Sequence, residues 1–255
     1  MQEFLKKIIK EAGDIALRFY QKDGLFIEEK TSPIDLVTEA DQVVSDFLVK
    51  KIQEKYPDHH IKSEEMDEDI NGGNEYEWVI DPIDGTSSFS RGLPLWCVIV
   101  AVLRGGEVVM AGVYQPTTGD MFFAEKGKGV FRNNKEVFVS EKRDMVFAEA
   151  HIETKPASPV AGQYKTAHIK YVEMSGISPR RPGSMLSACY VASGGYDMAA
   201  YSLGCDHDYL APALMVREAG GRVTNYKGEE WVRGMGDVIF SNGHIHEAAI
   251  ELFEE

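Results

Sequence analysis

The stretch WVIDPIDGT at residues 78–86 decides how this chain reads. Trp78, Val79 and Ile80 have the bulk and branching of a buried strand, and the residues after them release two carboxylates, a backbone carbonyl and a Gly-Thr turn. Hard cations such as Mg2+ take oxygen ligands, and Asp81, Asp84 and the carbonyl of Ile83 offer three of them at one strand end. Gly85 lets the backbone approach a ligand closely. If a helix starts there, free amides at Gly85 and Thr86, with Ser87 beside them, suit phosphate oxygens. Asp-Pro and Asp-Gly are also good turn formers, so this stretch alone leaves a plain turn open.

Two acidic positions lie further out. Ser63-Glu64-Glu65 follows Ile61 and heads an acidic loop, which by itself reads as a solvated face. Asp208 precedes the helical run YLAPALMVREA, closed by Gly220-Gly221, where an N-cap is the ordinary role for an aspartate. Pro212 is expected in the first turn of that helix, where a missing N–H costs least.

Residues 1–20 repeat apolar side chains at helical spacing, and residues 24–42 read as a strand and a tight turn. A second amphipathic helix runs on to Pro57, and a loop follows. Residues 77–86, 96–116 and 120–133 are rich in β-branched and aromatic side chains between Gly and Asp turns, the pattern of consecutive antiparallel strands. Between residues 141 and 183 the chain is more polar and less periodic. Any boundary within the single 255-residue unit falls there, dividing a half of about 1–145 from one of about 146–255. Helix, strand, helix, strand and a final helix follow. No βαβ rhythm runs through the order, which favours α+β layers over a doubly wound sheet.

The formal net charge of −14 argues against a nucleic-acid polymer as partner, because a phosphate backbone calls for a basic stripe that this sequence lacks. An acidic protein that handles phosphates needs bound cations. No apolar run approaches the roughly 20 residues that cross a bilayer, and the first residues lack the pattern of a signal peptide. Three widely spaced cysteines, Cys97, Cys189 and Cys205, form no CxxC pair and suggest no disulfide framework, so a reducing cytoplasm is expected.

Taken in order, KTSPIDLVTEAD, SEE, WVIDPIDGTSSF and DYLAPALMVREAGG resemble the inositol monophosphatase superfamily of lithium-sensitive, metal-dependent phosphatases across nearly the whole chain. The resemblance implies a layered αβαβα sandwich of the inositol monophosphatase and fructose-1,6-bisphosphatase type, working as a homodimer on a small phosphorylated metabolite. It implies two or three Mg2+ ions held by Glu64, Asp81, the Ile83 carbonyl, Asp84 and Asp208. One ion lowers the pKa of the attacking water and another stabilises the leaving alkoxide, with no phosphoenzyme. Asp41, Thr86 and Glu64 are then the catalytic candidates, Asp41 pairing with Thr86 to orient and deprotonate the water; an N-cap role for Asp41 remains open. Lys30 corresponds to a basic residue on the family's mobile loop, and Glu65 acts through water beside Glu64.

The substrate end departs from the pattern. Enzymes of inositol phosphates usually carry a glutamate seven positions before the last aspartate, and Tyr201 stands here, which cannot accept two hydroxyls as a carboxylate does. His207-Asp208-Tyr209 resembles the histidinol-phosphate branch, and GSMLSACYVASG resembles the branch acting on adenosine bisphosphates. Gly183 and Ser184 face substrate in any of these. An inositol-1-phosphate phosphatase leads, with histidinol phosphate, adenosine 3′,5′-bisphosphate and fructose 1,6-bisphosphate as alternatives, and a metabolite-sensing relative without catalysis as the non-enzyme alternative. His59, His60, His244 and His246 read as surface or packing residues, and Cys205-Asp206-His207 as neighbours without triad geometry.

Overall fold

Leu5, Ile8, Ile9, Ala12 and Ala16 recur at the three- and four-residue spacing of one helix face, and they form the buried stripe of α1 (Gln2–Ala16). The computed structural model describes residues 1–21, 27–32 and 35–254, with 27–32 and 35–38 described by their backbone alone. Within that segment β1 (Ile27–Ser32) pairs antiparallel with β2 (Asp35–Thr38). Lys30 lies in β1, so its side chain falls outside the described residues. Next comes α2 (Glu39–Lys55), whose inner face carries Val44, Leu48 and Ile52 and, toward its start, the buried polar residues Asp41 and Ser45.

A seven-stranded sheet follows, in the order β3 (His60–Ser63), β4 (Tyr76–Asp84), β5 (Cys97–Arg104), β6 (Glu107–Gln115), β7 (Asp120–Glu125), β8 (Val130–Arg132) and β9 (Lys135–Val137). β3 runs parallel to β4, and every later neighbour is antiparallel. Both faces of the sheet are covered. In β5, Cys97, Ile99, Ala101 and Leu103 enter one core while Val98, Val100 and Val102 enter another, which is why the strand reads as an unbroken apolar run. α1 and α2 cover the second face. Gly112 in β6 permits this approach, because a Cβ there would collide with Ile9 of α1.

The chain leaves this sheet after Val137 and enters a four-stranded sheet, built from β10 (Ala150–Glu153), β11 (Met198–Tyr201), β12 (Arg222–Thr224) and β13 (Val238–Ser241) in the spatial order β10-β11-β13-β12. Between the two sheets lie α5 (Leu186–Ala192) and α6 (Asp206–Glu218). Tyr209 through Val216 of α6 are all buried, as a helix clamped between two sheets requires. α4 (Ala161–Ser175) and α7 (His246–Glu251) close the outer face of the small sheet around Tyr164, Tyr171, Ile239 and Ala249. The layers run helix, sheet, helix, sheet, helix, which is the αβαβα sandwich expected. Among the described residues no helix is long and apolar enough to cross a membrane.

Several local expectations need correction. The loop expected after Pro57 contains β3, and the aperiodic stretch 141–183 contains β10 and α4. The low amphipathicity of α4 hid it, since only Tyr164, Ala167, Tyr171 and Ser175 are buried. Pro212 is not in the first turn of α6, which starts at Asp206; it sits in the second turn and cannot donate to the Asp208 carbonyl four residues back. Neither aspartate read as an N-cap occupies that position. Asp41 is the third residue of α2 and Asp208 the third of α6.

Candidate active site

β4 carries its register with β5 regularly as far as Asp81 opposite Ile99, then shifts before Asp84 meets Cys97. The bulge at Pro82 and Ile83 turns both carboxylates toward one side of the strand end. Gly85 follows with φ +89°, and a Cβ there would stand 2.7 Å from the Leu95 carbonyl, so only glycine makes this turn into α3 (Thr86–Ser90). Beside it, β3 delivers Glu64, whose amide donates to the Ile80 carbonyl at 3.0 Å. From the opposite side α6 contributes Asp208. Its carboxylate accepts the Cys205 amide at 2.6 Å, a first-turn acid satisfying its own helix N-terminus.

Ligand oxygens of Asp81, Asp84 and Asp208 lie within 4.8 Å of one another. Asp84 is fixed by two donors on one oxygen, the Met185 amide at 2.6 Å and the Cys97 thiol at 3.2 Å. Asp81 is 2% exposed, and its Oδ1 is buried with no hydrogen-bond partner. Burial and then the neighbouring charges of Glu64, Asp84, Asp208 and Asp41 push the Asp81 carboxyl far above the ordinary range. Burial and Asp208 push Asp84 up to about 8 against the pull of its two donors. Asp208 is also raised, chiefly by burial, with His207 opposing. Carboxylates forced together in this way are unstable as a set without compensating positive charge.

The cluster opens into a cleft of about 330 Å³ lined by Glu64, Asp81, Ile83, Asp84, Gly85, Thr86 and Ser87 on one side and Gly183, Ser184, Tyr201 and Asp208 on the other. Thr86 Oγ1 donates to the Ile83 carbonyl at 3.0 Å, and Arg91 donates to the Ser87 hydroxyl. Asp41 is buried, near enough to Asp81 to raise its pKa. Glu65 does not line the cleft; it accepts the Gln42 side-chain amide at 3.2 Å. Tyr201 forms part of the wall, and its hydroxyl is engaged with the Ser184 carbonyl at 2.8 Å.

The cleft also holds residues the sequence reading passed over. Glu153, Lys155 and Arg181 also line it, all from the stretch without periodicity, and Glu153 and Lys155 lie near enough to act on Asp84 and Asp208. Beside the cleft, His207, read from the sequence as a mark of the histidinol-phosphate branch and as lacking triad geometry, places Nε2 3.8 Å from both Glu64 and Asp208. The pairing of Glu153 with Tyr201 across parallel strands is what brings that glutamate in, and only a correct placement of β10 could have revealed it.

A family model described as the inositol monophosphatase family matches residues 1–255. The chain is 31% identical over 257 residues to the fructose-1,6-bisphosphatase/inositol-1-monophosphatase of Thermotoga maritima, covering 99% of this chain and 95% of that one. It is 31% identical over 253 residues to an inositol monophosphatase of Dictyostelium discoideum, covering 93% and 89%. The extragenic suppressor protein suhB of Bartonella henselae has the same fold, with TM-score 0.93 and 27% identity over 99% of this chain and 98% of that one.

Proposed function

Because this chain belongs to the inositol monophosphatase family and is a phosphatase, we propose that it hydrolyses the phosphate monoester of a small polyol, inositol 1-phosphate foremost, with Mg2+ as cofactor. The observation that carries this reading is the buried group of Asp81, Asp84 and Asp208 with the orphaned Asp81 Oδ1 at its centre. An all-oxygen donor set with excess negative charge fits a hard divalent cation. Glu64, Asp81, the Ile83 carbonyl, Asp84 and Asp208 would hold two or three such ions. When bound, they supply positive charge to the phosphate oxygens and lower the pKa of nearby water.

The chain's own groups do the rest. Amides at Gly85 and Thr86 donate to the phosphate. Asp41 and Thr86 orient the attacking water, and its proton leaves toward the Asp41 carboxylate. Gly183, Ser184 and Tyr201 bound the space for the alcohol portion, where Tyr201 contributes shape because its hydroxyl is already committed.

A second reading, a bisphosphorylated substrate, is favoured by one observation. Beyond the cleft lies a second cavity, lined by Ile152, Thr154, Pro156, Lys165, His168, Ile169 and Arg181, and Arg181 borders both. Its charged lining is basic in a chain of net charge −14, as a second phosphate would require. Phosphate release from inositol 1-phosphate, histidinol phosphate, fructose 1,6-bisphosphate and adenosine 3′,5′-bisphosphate, with Mg2+ or with chelator, tests both readings. Preference for inositol 1-phosphate supports the first, preference for a bisphosphate supports the second, and Mg2+-independent release sinks both.

A further inference from the structure

Among the described residues, His207 brings a nitrogen donor, with the Cys205 thiol beside it, to the edge of the carboxylate cluster. Two groups of possible ligand atoms include it, Glu64 with Asp81 and His207, and Cys205 with His207 and Asp208, each set lying within 4.8 Å. The distances of 3.8 Å from His207 Nε2 to Glu64 Oε2 and to Asp208 Oδ2 are too long for hydrogen bonds. They suit two ligands of one ion, since donor atoms each about 2.1 Å from a shared metal stand roughly 3–4 Å apart. Beside them Asp81, 2% exposed, holds an oxygen with no partner.

From this geometry we infer that His207 is a metal ligand, and that the position it shares with Glu64 and Asp81 takes a borderline divalent ion, Mn2+, Co2+ or Zn2+, in preference to Mg2+. Imidazole nitrogen binds these ions more strongly than it binds Mg2+, which keeps to oxygen. Asp84 and the Ile83 carbonyl remain with the all-oxygen part of the cluster, so the two parts differ in the ion they select. The inference rests on the metal-dependent reading above and replaces Mg2+ with a borderline ion at one of its positions, leaving Mg2+ at the all-oxygen part.

Chelator-stripped protein and its His207→Gln variant are titrated with Mg2+, Mn2+ and Co2+. Mn2+ binding is followed by electron paramagnetic resonance with detection of nitrogen coupling, and Co2+ binding by visible absorbance. Nitrogen coupling from one imidazole is expected in the native protein. In His207→Gln it disappears, and the Kd for Mn2+ and Co2+ weakens by about tenfold or more while that for Mg2+ shifts by less than about threefold. Absence of nitrogen coupling in the native protein overturns the inference without relying on the variant. So does a sulfur-to-cobalt charge-transfer band with no nitrogen coupling, which assigns the ion to Cys205. If the native protein binds none of the three ions, the metal-dependent reading fails as well.

Discussion

Asp84 and Met185 lie 101 positions apart in the chain, yet the Asp84 carboxylate accepts the Met185 amide at 2.6 Å. Met185 is the N-cap residue of α5, so the end of β4 is tied to the helical layer between the sheets. The Cys97 thiol reaches the same oxygen from the neighbouring strand. Asp84 is therefore held rigidly by groups outside the carboxylate cluster, whereas the buried Asp81 Oδ1 has no such partner. One carboxylate is positioned and the other is left open.

Asp81→Asn is expected to lower turnover by about three orders of magnitude with Mg2+ present, because it removes charge from the ion and from the transition state it stabilises. The metal-free variant should be more stable than the native chain by about 1 kcal/mol, since a neutral amide spares the folded chain the cost of protonating a buried carboxylate whose pKa burial and its neighbours push up. Steady-state kinetics and thermal melts in chelator check the pair. Native-like turnover would falsify the site assignment.

Gly85→Ala puts a side chain at φ +89° and against the Leu95 carbonyl and the Ser184 side chain. A loss of roughly 2–3 kcal/mol in unfolding free energy is expected, together with a fall in kcat, as the turn that aims Asp84 and Thr86 shifts. Urea titration and kinetics together read this. Unchanged stability would show that the turn tolerates a Cβ.

His246 sets a pH dependence away from the site. It is fully buried, and its ring nitrogens meet the hydroxyls of Ser241 at 2.7 Å and Thr224 at 3.1 Å. Thr224 donates its own proton to the Asn225 carbonyl, so it accepts from His246 Nε2–H, and the neutral ring accepts from Ser241 at Nδ1. Burial, then Arg222, pushes the His246 pKa down to about 4, with Glu247 opposing. Between about 6.5 and 4 the unfolded chain binds the proton that the folded chain refuses, so stability present above that window is lost as pH falls through it. The loss is on the order of 2 kcal/mol. Chemical unfolding from pH 7 to 4 should show it, and His246→Gln should flatten the slope. A slope that survives the substitution would assign it to other groups.

Arg233 joins Glu77 at 2.7 and 2.8 Å and Asp206 at 2.7 Å, tying β4 to the first residue of α6. Arg233→Ala removes both guanidinium bonds to the buried Glu77, leaving His60 Nδ1 at 3.7 Å as its remaining basic neighbour, and should cost about 2–3 kcal/mol. Arg233→Lys should recover only part of this, because an ammonium cannot reproduce the planar fork. Asp208 is two residues from Asp206, so Mg2+ affinity should also drop in Arg233→Ala. Calorimetric titration measures it, and unaltered affinity would separate the ion pair from the site.

The β4 stretch was legible because a strand buried on both faces writes itself as an apolar run, and because its terminal carboxylates follow immediately in sequence. The stripes of α1 and α2 were legible from their spacing, whereas Asp208 by its place alone read as an N-cap, and its part in the site came only through the family resemblance. α4 was missed because four buried residues leave a weak period, and β10 because four residues give no alternation to count. With β10 went Glu153 and Lys155, and Arg181 beyond it.

The sequence by itself determined which segments become helices and strands over most of the chain and which carboxylates stand at their ends, since periodicity and turn chemistry act over a few neighbouring residues. Only the tertiary structure decided that Asp41 and Asp208 enter as third residues of their helices, that Tyr201 spends its hydroxyl on Ser184, and that His207 turns its ring nitrogen toward Glu64. Those placements depend on sheet order, register and the clamping of α6 between two sheets, which are contacts between residues far apart in the chain and leave no period in it.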